Sequence, residues 1–480
     1  MARFIGFAFA LVLLSGAVIG GCFDVPRRGG LLGGDASGRR TPETTTGARD
    51  TEGQNPPFDV GAVDQTSQRP DVSQDQLAPS IDLDDASLDS DESNPDLEDL
   101  VEDSDTALVP DIGTPTCDNP GFGIIAGVFA SDGLITGLPA VDDVGAIYFG
   151  THNATLYRLS CTGEKLWAWT YPCTGGGCPQ AFEGSPLIDG EGRIIIGDDL
   201  LVPNFMFALD PGGKLLWTYK TELVYGQMDS SPVLTDDGTL FIGSRGTSGW
   251  AGLLGTMVGF DPSTGLPKPN LQLDTGAVVS SPASRANVLY FVERKGQLGT
   301  LENSLTAVTT AGKVLWKKTF FPVSGFSEAH FSSVALGSDG SVIVARNLLP
   351  APYAEKPASY LYRFESTEGR LLETTYLGAQ LVVGSPVVAR RKSGDAIILA
   401  FEGGRLLSLD PRTGAYVFDI KLGAPIAGSP VLGNDGRIYV AAGTRLLRIS
   451  HDGFFESNTS DVLELPDSPS SSLQIDNLGR

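Results

Sequence analysis

The chain has 480 residues, is 41% hydrophobic and 19% charged, and carries a formal net charge of −24 at pH 7. That apolar content over that length excludes a wholly disordered chain, and 58 acids against 34 bases leave no basic surface of the kind that grips a nucleic-acid backbone. Sixty glycines and 31 prolines point to a chain that turns often.

Arg3 precedes an apolar run from Phe4 to Ile19 that ends Ile19-Gly20-Gly21-Cys22. A run that short, closing on small residues, is expected to be a secretion signal, residues 1–21, rather than a spanning helix. Small residues directly before Cys22 resemble the bacterial lipobox, which implies cleavage before Cys22 and its lipidation; an ordinary signal peptide with an incidental cysteine is the alternative. In that class of signals an Asp directly after the cysteine goes with inner-membrane retention. Phe23 stands there instead, so the resemblance implies an outer-membrane lipid anchor, facing the periplasm or the cell surface.

Residues 22–116 are rich in Gly, Ser, Thr, Pro and Asp and poor in aromatics. From residue 23 they hold 22 acids and 6 bases, a net charge of −16. Such a segment buries too little apolar surface to offset its ordering entropy, so it is expected to be a disordered linker. About 90 flexible residues reach roughly 50–55 Å, and more when like charges repel. The densest acidic tract, Asp82 to Asp105, lacks the Gly-turned loop closed by Glu of a calcium site, so it reads as solvated linker.

From residue 138 onward one phrase returns about every 40 to 55 residues, the signature of a repeat architecture. It opens Gly184-Ser-Pro-Leu-Ile-Asp-Gly-Glu-Gly-Arg-Ile-Ile-Ile-Gly197, continues Phe207-Ala-Leu-Asp210 and closes Gly213-Lys-Leu-Leu-Trp217. The opening recurs at Ser231, Ser281, Ser333, Ser385 and Ser429, with Leu138-Pro139 as a degenerate first copy, making seven. Within each copy, short β-branched or aromatic runs alternate with turns such as Asp237-Gly238, Asp339-Gly340 and Asp435-Gly436. A lone four-stranded sheet cannot bury both faces, so the copies are expected to pack around an axis as the blades of an all-β propeller over residues 117–480. Seven blades are favoured over eight. Residues 122–131 are expected to complete the last blade.

These residues resemble the propeller repeat of pyrroloquinoline quinone enzymes and their cofactor-free relatives, whose signature is an Ala-Leu-Asp strand, a Gly and a Trp that docks one blade on the next. The resemblance implies blade docking by Trp167, Trp217 and Trp316, while Pro269, Glu373 and Phe418 replace the Trp in three copies. The enzymes of the family use adjacent cysteines, a stacking Trp and a Glu, Asn and Asp set around calcium. No adjacent cysteine pair is present and no such set can be assigned, so neither quinone nor calcium is expected, and no dehydrogenase activity.

With Cys22 assigned to lipid, Cys117, Cys161, Cys173 and Cys178 remain, an even number in an exported chain, for which disulfides are the default. Cys173-Thr-Gly-Gly-Gly-Cys178 most simply closes on itself, and Cys117 would then join Cys161. His152, His330 and His451 fall in three different repeats without metal-ligand spacing, so no metal is expected.

What remains is a noncatalytic binding module, expected to be monomeric and to meet the membrane only through its anchor. In propellers the loops between second and third strands share one face with the connections between blades, so long loops there mark the functional face. The long ones are Arg245 to Gly255, Glu293 to Asn303 and Arg346 to Ala358. Trp250, Tyr353 and Phe326 are candidate contacts there, because aromatics supply much of the energy at binding surfaces; packing over their own loops is the plain alternative. Arg245, Arg294 and Arg346 could grip an anionic partner or pair with acids such as Glu293. Two partner classes fit. One is an envelope protein, as for the propeller lipoprotein that assists insertion of outer-membrane β-barrels, which shares the lipobox and the repeat; the other is a surface protein or polysaccharide reached by the long linker.

Overall fold

The computed structural model describes residues 12–14, 128–173, 179–198, 204–220, 228, 230–245, 247–249, 252–296, 302–351, 356–454, 461–465 and 473–474. Cys22, the linker, Cys117, Cys178, Trp250 and Tyr353 lie outside the described residues, and so does all of one of the two compact units into which the chain divides, Val25–Asp111.

The repeats fold as seven blades in a ring, a β-propeller without helices among the described residues. Blade 1 is built from Ala140–Val141, Ile147–Gly150, Thr155–Leu159 and Lys165–Thr170, each strand antiparallel to the next. Blade 7 runs Val431–Leu432, Ile438–Ala442, Arg445–Ile449 and Val462–Glu464. The inner strand is only two residues long in both, because the strands converge at the axis.

The second and third strands are buried on both faces, which is why they read as unbroken apolar runs. In blade 2, Ile194 and Ile196 pack toward Tyr148 and Leu156 of blade 1, whereas Ile195 packs toward Leu240 and Ile242 of blade 3. The same division produces cores between blades 3 and 4, 4 and 5, 5 and 6, and 6 and 7.

The repeated Ser-Pro opening has a structural reason. Five of the six opening serines accept a hydrogen bond from a backbone N–H of the preceding blade: Leu138 N to Ser185 Oγ at 2.8 Å, Ser185 N to Ser231 at 3.1 Å, Ser231 N to Ser281 at 3.3 Å, Ser281 N to Ser333 at 3.2 Å and Ser385 N to Ser429 at 2.7 Å. The serines form a latch around the inner rim. The proline that follows has no N–H to leave unsatisfied there.

The tryptophans stitch the outer rim. Trp167 Nε1 donates to Pro211 O and Trp217 Nε1 to Pro262 O, both at 2.9 Å, and Trp316 Nε1 to Ser366 O at 2.7 Å, each acceptor being a turn of the next blade. Phe418 presses on Gly453 of blade 7 in the place of a tryptophan. Where Pro269 interrupts the pattern, Leu271 and Leu273 approach Gly312 instead, and where Glu373 does so a methyl group at Gly414 would meet only Thr375, at 3.5 Å.

The expectation that residues 122–131 complete the last blade fails for the part described. Val128–Ala130 pairs in parallel with Val12–Leu14 in a two-stranded sheet of its own, because blade 7 fills its outer place with Val462–Glu464. Phe129 lies against Phe149 and Tyr157 of blade 1, at ring distances of 6.2 and 5.2 Å. Asp132 fixes this lead-in by accepting from Thr151 Oγ1 at 2.9 Å and Thr155 Oγ1 at 2.6 Å.

Candidate functional site

The face that carries the second-to-third-strand connections is uneven. The second strand has four residues in blades 1, 2 and 3 and five in blade 7, but eight in blade 4, Val288–Lys295, and nine in blade 5, Val342–Pro350; the eight of blade 6, Gly394–Phe401, are gained at the opposite end, where Gly394 pairs with Arg391. In blade 3 the third strand, Gly252–Phe260, and the outer strand, Pro267–Thr275, have nine each. Blades 3 to 5 therefore stand proud of the ring.

This corrects the expectation of long loops. Much of the length read as loop is hairpin: Thr247–Gly249 pairs with Gly252–Leu254, Lys295 pairs with Glu302, and Leu348 with Ala358. Blade 5 gains an added inner strand, Phe326–Phe331, along Arg346–Pro350.

Arg346 lies within this hairpin and is only 5% exposed. Its guanidinium sits over Phe320 and Phe331, 5.6 and 5.7 Å from the ring centroids, and donates to Phe321 O at 2.8 Å. Arg294 donates to Asn303 Oδ1 at 3.1 Å and across to Ala329 O of blade 5 at 2.9 Å. Both are struts of the raised wall. Arg245 is exposed just past the second strand of blade 3. Phe326 is half-buried in a small cluster over Ala329, Leu348 and Ala358, with Val323 and Tyr360 beside it.

Glu293 pairs with neither neighbouring arginine. It is 3% exposed and accepts from Gly276 N at 2.5 Å, Thr306 Oγ1 at 2.6 Å and Lys317 Nζ at 2.8 Å. Burial alone would raise its pKa, but these donors outweigh it and hold the carboxyl below the ordinary glutamate value. The cluster ties the connector from blade 3 to the rising strands of blade 4.

Beside these struts lies an aromatic surface that the expected contacts did not include. Tyr360 and Tyr376 are paired across the third and outer strands of blade 5, and Phe321 and Tyr376 are 60% and 54% exposed. The signal was present as Tyr360-x-Tyr362-x-Phe364, an alternation that puts three rings on one sheet face.

Elsewhere, His152 contacts Glu183 at 3.4 Å and Thr136 Oγ1 at 3.2 Å, holding the lead-in to the first inter-blade connector. Cys161 and Cys173 are each disulfide-bonded, and Cys117 and Cys178 lie outside the described residues. On the opposite face a cavity of about 380 Å³ between the turns of blades 2 and 3 is lined by Asp189, Glu191, Arg193 and Lys268, among others. Arg193 is already held by Asp189 at 2.7 Å, and Lys268 donates to Thr239 Oγ1 at 2.7 Å. Among the described residues no group of three His, Cys, Asp or Glu side chains could hold a metal ion.

A family model described as outer membrane protein assembly factor BamB matches residues 298–453, from the third strand of blade 4 into blade 7. No curated protein matches the chain. Among solved structures, BamB from Moraxella catarrhalis is similar, at 18% identity and a TM-score of 0.45, over 65% of this chain and 82% of its own. A europium-containing methanol dehydrogenase is similar at 13% identity and a TM-score of 0.47, over 64% of this chain and 72% of its own.

Proposed function

We propose that the chain is a noncatalytic recognition propeller of the bacterial envelope, tethered through lipid on Cys22, with the raised face of blades 3 to 5 as its binding surface. One observation carries this reading: three adjacent blades are lengthened on the same face, and their charged side chains are spent on bracing that wall. A rigid, raised, partly aromatic surface suits binding, because little conformational entropy is lost when a partner docks on it.

A second reading, assembly of outer-membrane β-barrel proteins, is favoured by the family match over residues 298–453, which takes in the third and outer strands of blade 4 and the whole of blade 5. A photo-crosslinking residue at Phe321, on the raised face, and another at Phe454, 65% exposed at an opposite turn, test the shared claim in cells. Adducts with an envelope component are expected from Phe321 and not from Phe454. Equal yields from both, or none from Phe321, would remove the raised face from the proposal. If the adduct is a barrel-assembly protein, the second reading holds; protease release of the propeller from intact cells indicates surface display.

A further inference from the structure

The third strand of blade 5 turns Phe364, Tyr362 and Tyr360 toward blade 4. Phe364 stacks on Trp316 with centroids 6.4 Å apart, and Tyr362 meets Phe320 edge-on at 5.1 Å. Phe320 is the last residue of blade 4's outer strand. One pleat higher, Tyr360 belongs to a row of directly paired residues that crosses the sheet as Phe331, Arg346, Tyr360 and Tyr376. Phe320 covers the inner half of this row, 4.8 Å from Phe331 and beneath the Arg346 guanidinium.

Among the described residues no ring of blade 4 covers the outer half. Tyr360 and Tyr376 lean on each other, centroids 5.3 Å apart and planes 51° apart, and Tyr376 is 54% exposed. Neither hydroxyl is hydrogen-bonded among the described residues. Arg346, more than nine-tenths buried in the same row, has a buried Nε donor without a partner.

We infer that this tyrosine pair is a saccharide-binding shelf, on which a pyranose ring stacks its C–H face over the exposed Tyr376 while its hydroxyls bond the phenols of Tyr376 and Tyr360. Tyrosine joins an apolar plane to a polar tip, which matches a sugar ring. A stable protein interface buries about 800 Å² on each partner, far more than two part-exposed rings provide, whereas one or two sugar residues fit that scale. The inference rests on the proposed recognition face and names a ligand class for it.

The test titrates the full chain with cellohexaose, maltohexaose and chitohexaose, reading saturation transfer to the sugar protons and calorimetric affinity. One of the three is expected to bind. Tyr376→Ala is expected to weaken that binding about tenfold, Tyr376→Phe about threefold, and Phe454→Ala not at all. Thermal midpoints within error of the parent chain confirm that the variants fold, as expected for exposed positions. If no probe binds, or if binding survives Tyr376→Ala in a folded protein, the shelf is overturned. Adducts from Phe321 that persist without any sugar bound would overturn the shelf alone and leave the recognition face standing. Loss of both would remove the two together.

Discussion

A methyl group at Gly265 would lie 2.4 Å from the Trp217 indole, and the backbone there has a φ of +68°. Gly238 has a similar φ, +76°, but open space around it. The pair separates two costs. Gly238→Ala is expected to lose only about 1 kcal/mol, the strain of a left-handed backbone. Gly265→Ala adds overpacking of the docked indole and is expected to lose about 2–4 kcal/mol, read as the difference in denaturant midpoints. Equal losses would mean that the Trp217 contact is soft. Glu293 gives the second prediction at this scale. Its folded pKa is depressed, so the stability it contributes is present above the unfolded glutamate value, about 4.3, and is lost as pH falls through the folded value. Glu293→Gln is expected to destabilise the protein near pH 7 and to flatten this acid limb, so that the two proteins converge only as pH falls below the depressed folded value. An unchanged pH slope in the variant would remove Glu293 from the account.

The blade is the element that the sequence describes best. Its opening serine, its Asp-Gly turns and its closing tryptophan are each required by one local contact, so they recur visibly. Ser231 shows the cost of that contact: Ser231→Ala leaves Ser185 N–H, part-buried at the inner rim, without its acceptor. A loss of about 1–2 kcal/mol is expected, with Ser231→Thr recovering part of it by keeping a hydroxyl; identical midpoints for Ala and Thr would show that the latch is incidental. The height of blades 3 to 5 was not legible in the same way. Residues such as Gly252-Leu-Leu-Gly255 and Leu348 to Ala358 pair with partners inside their own hairpins, so neither periodicity nor turn residues separate them from loops. The candidate arginines lie in or just past the second strands of blades 3 to 5, but their partners could not be read. Arg346 and Arg294 end on the backbone carbonyls of Phe321 and Ala329, and a carbonyl acceptor leaves no mark in the sequence. Tyr360 and Tyr376 went unnoticed because strand aromatics are ordinarily core, and their exposure depends on where blade 4 stops.

At the scale of the molecule, six described cores are each shared by two blades, and only two smaller ones lie within blade 5 and between blade 1 and its lead-in, so no blade owns the main surface that stabilises it. Ile195 and Ile196 are neighbours in sequence, yet one is buried toward blade 3 and the other toward blade 1. Opening blade 2 alone would therefore uncover apolar faces of both neighbours at once. In an open stack of repeats a terminal unit can fray by losing one interface, whereas a ring makes every unit an interior one. Amide hydrogen exchange can read this difference. The second strands Ile194–Gly197 of blade 2, Val342–Val344 of blade 5 and Ile438–Ala442 of blade 7 are all closely buried, and are expected to exchange only by global opening. Their opening free energies should agree within about 1 kcal/mol, and added denaturant should lower them with a common slope. The raised hairpin of blade 5, beyond Arg346, lies outside the interblade cores and should open at lower free energy. If blade 7 exchanges well before blades 2 and 5, it behaves as a free end, and the ring is not closed as one cooperative unit.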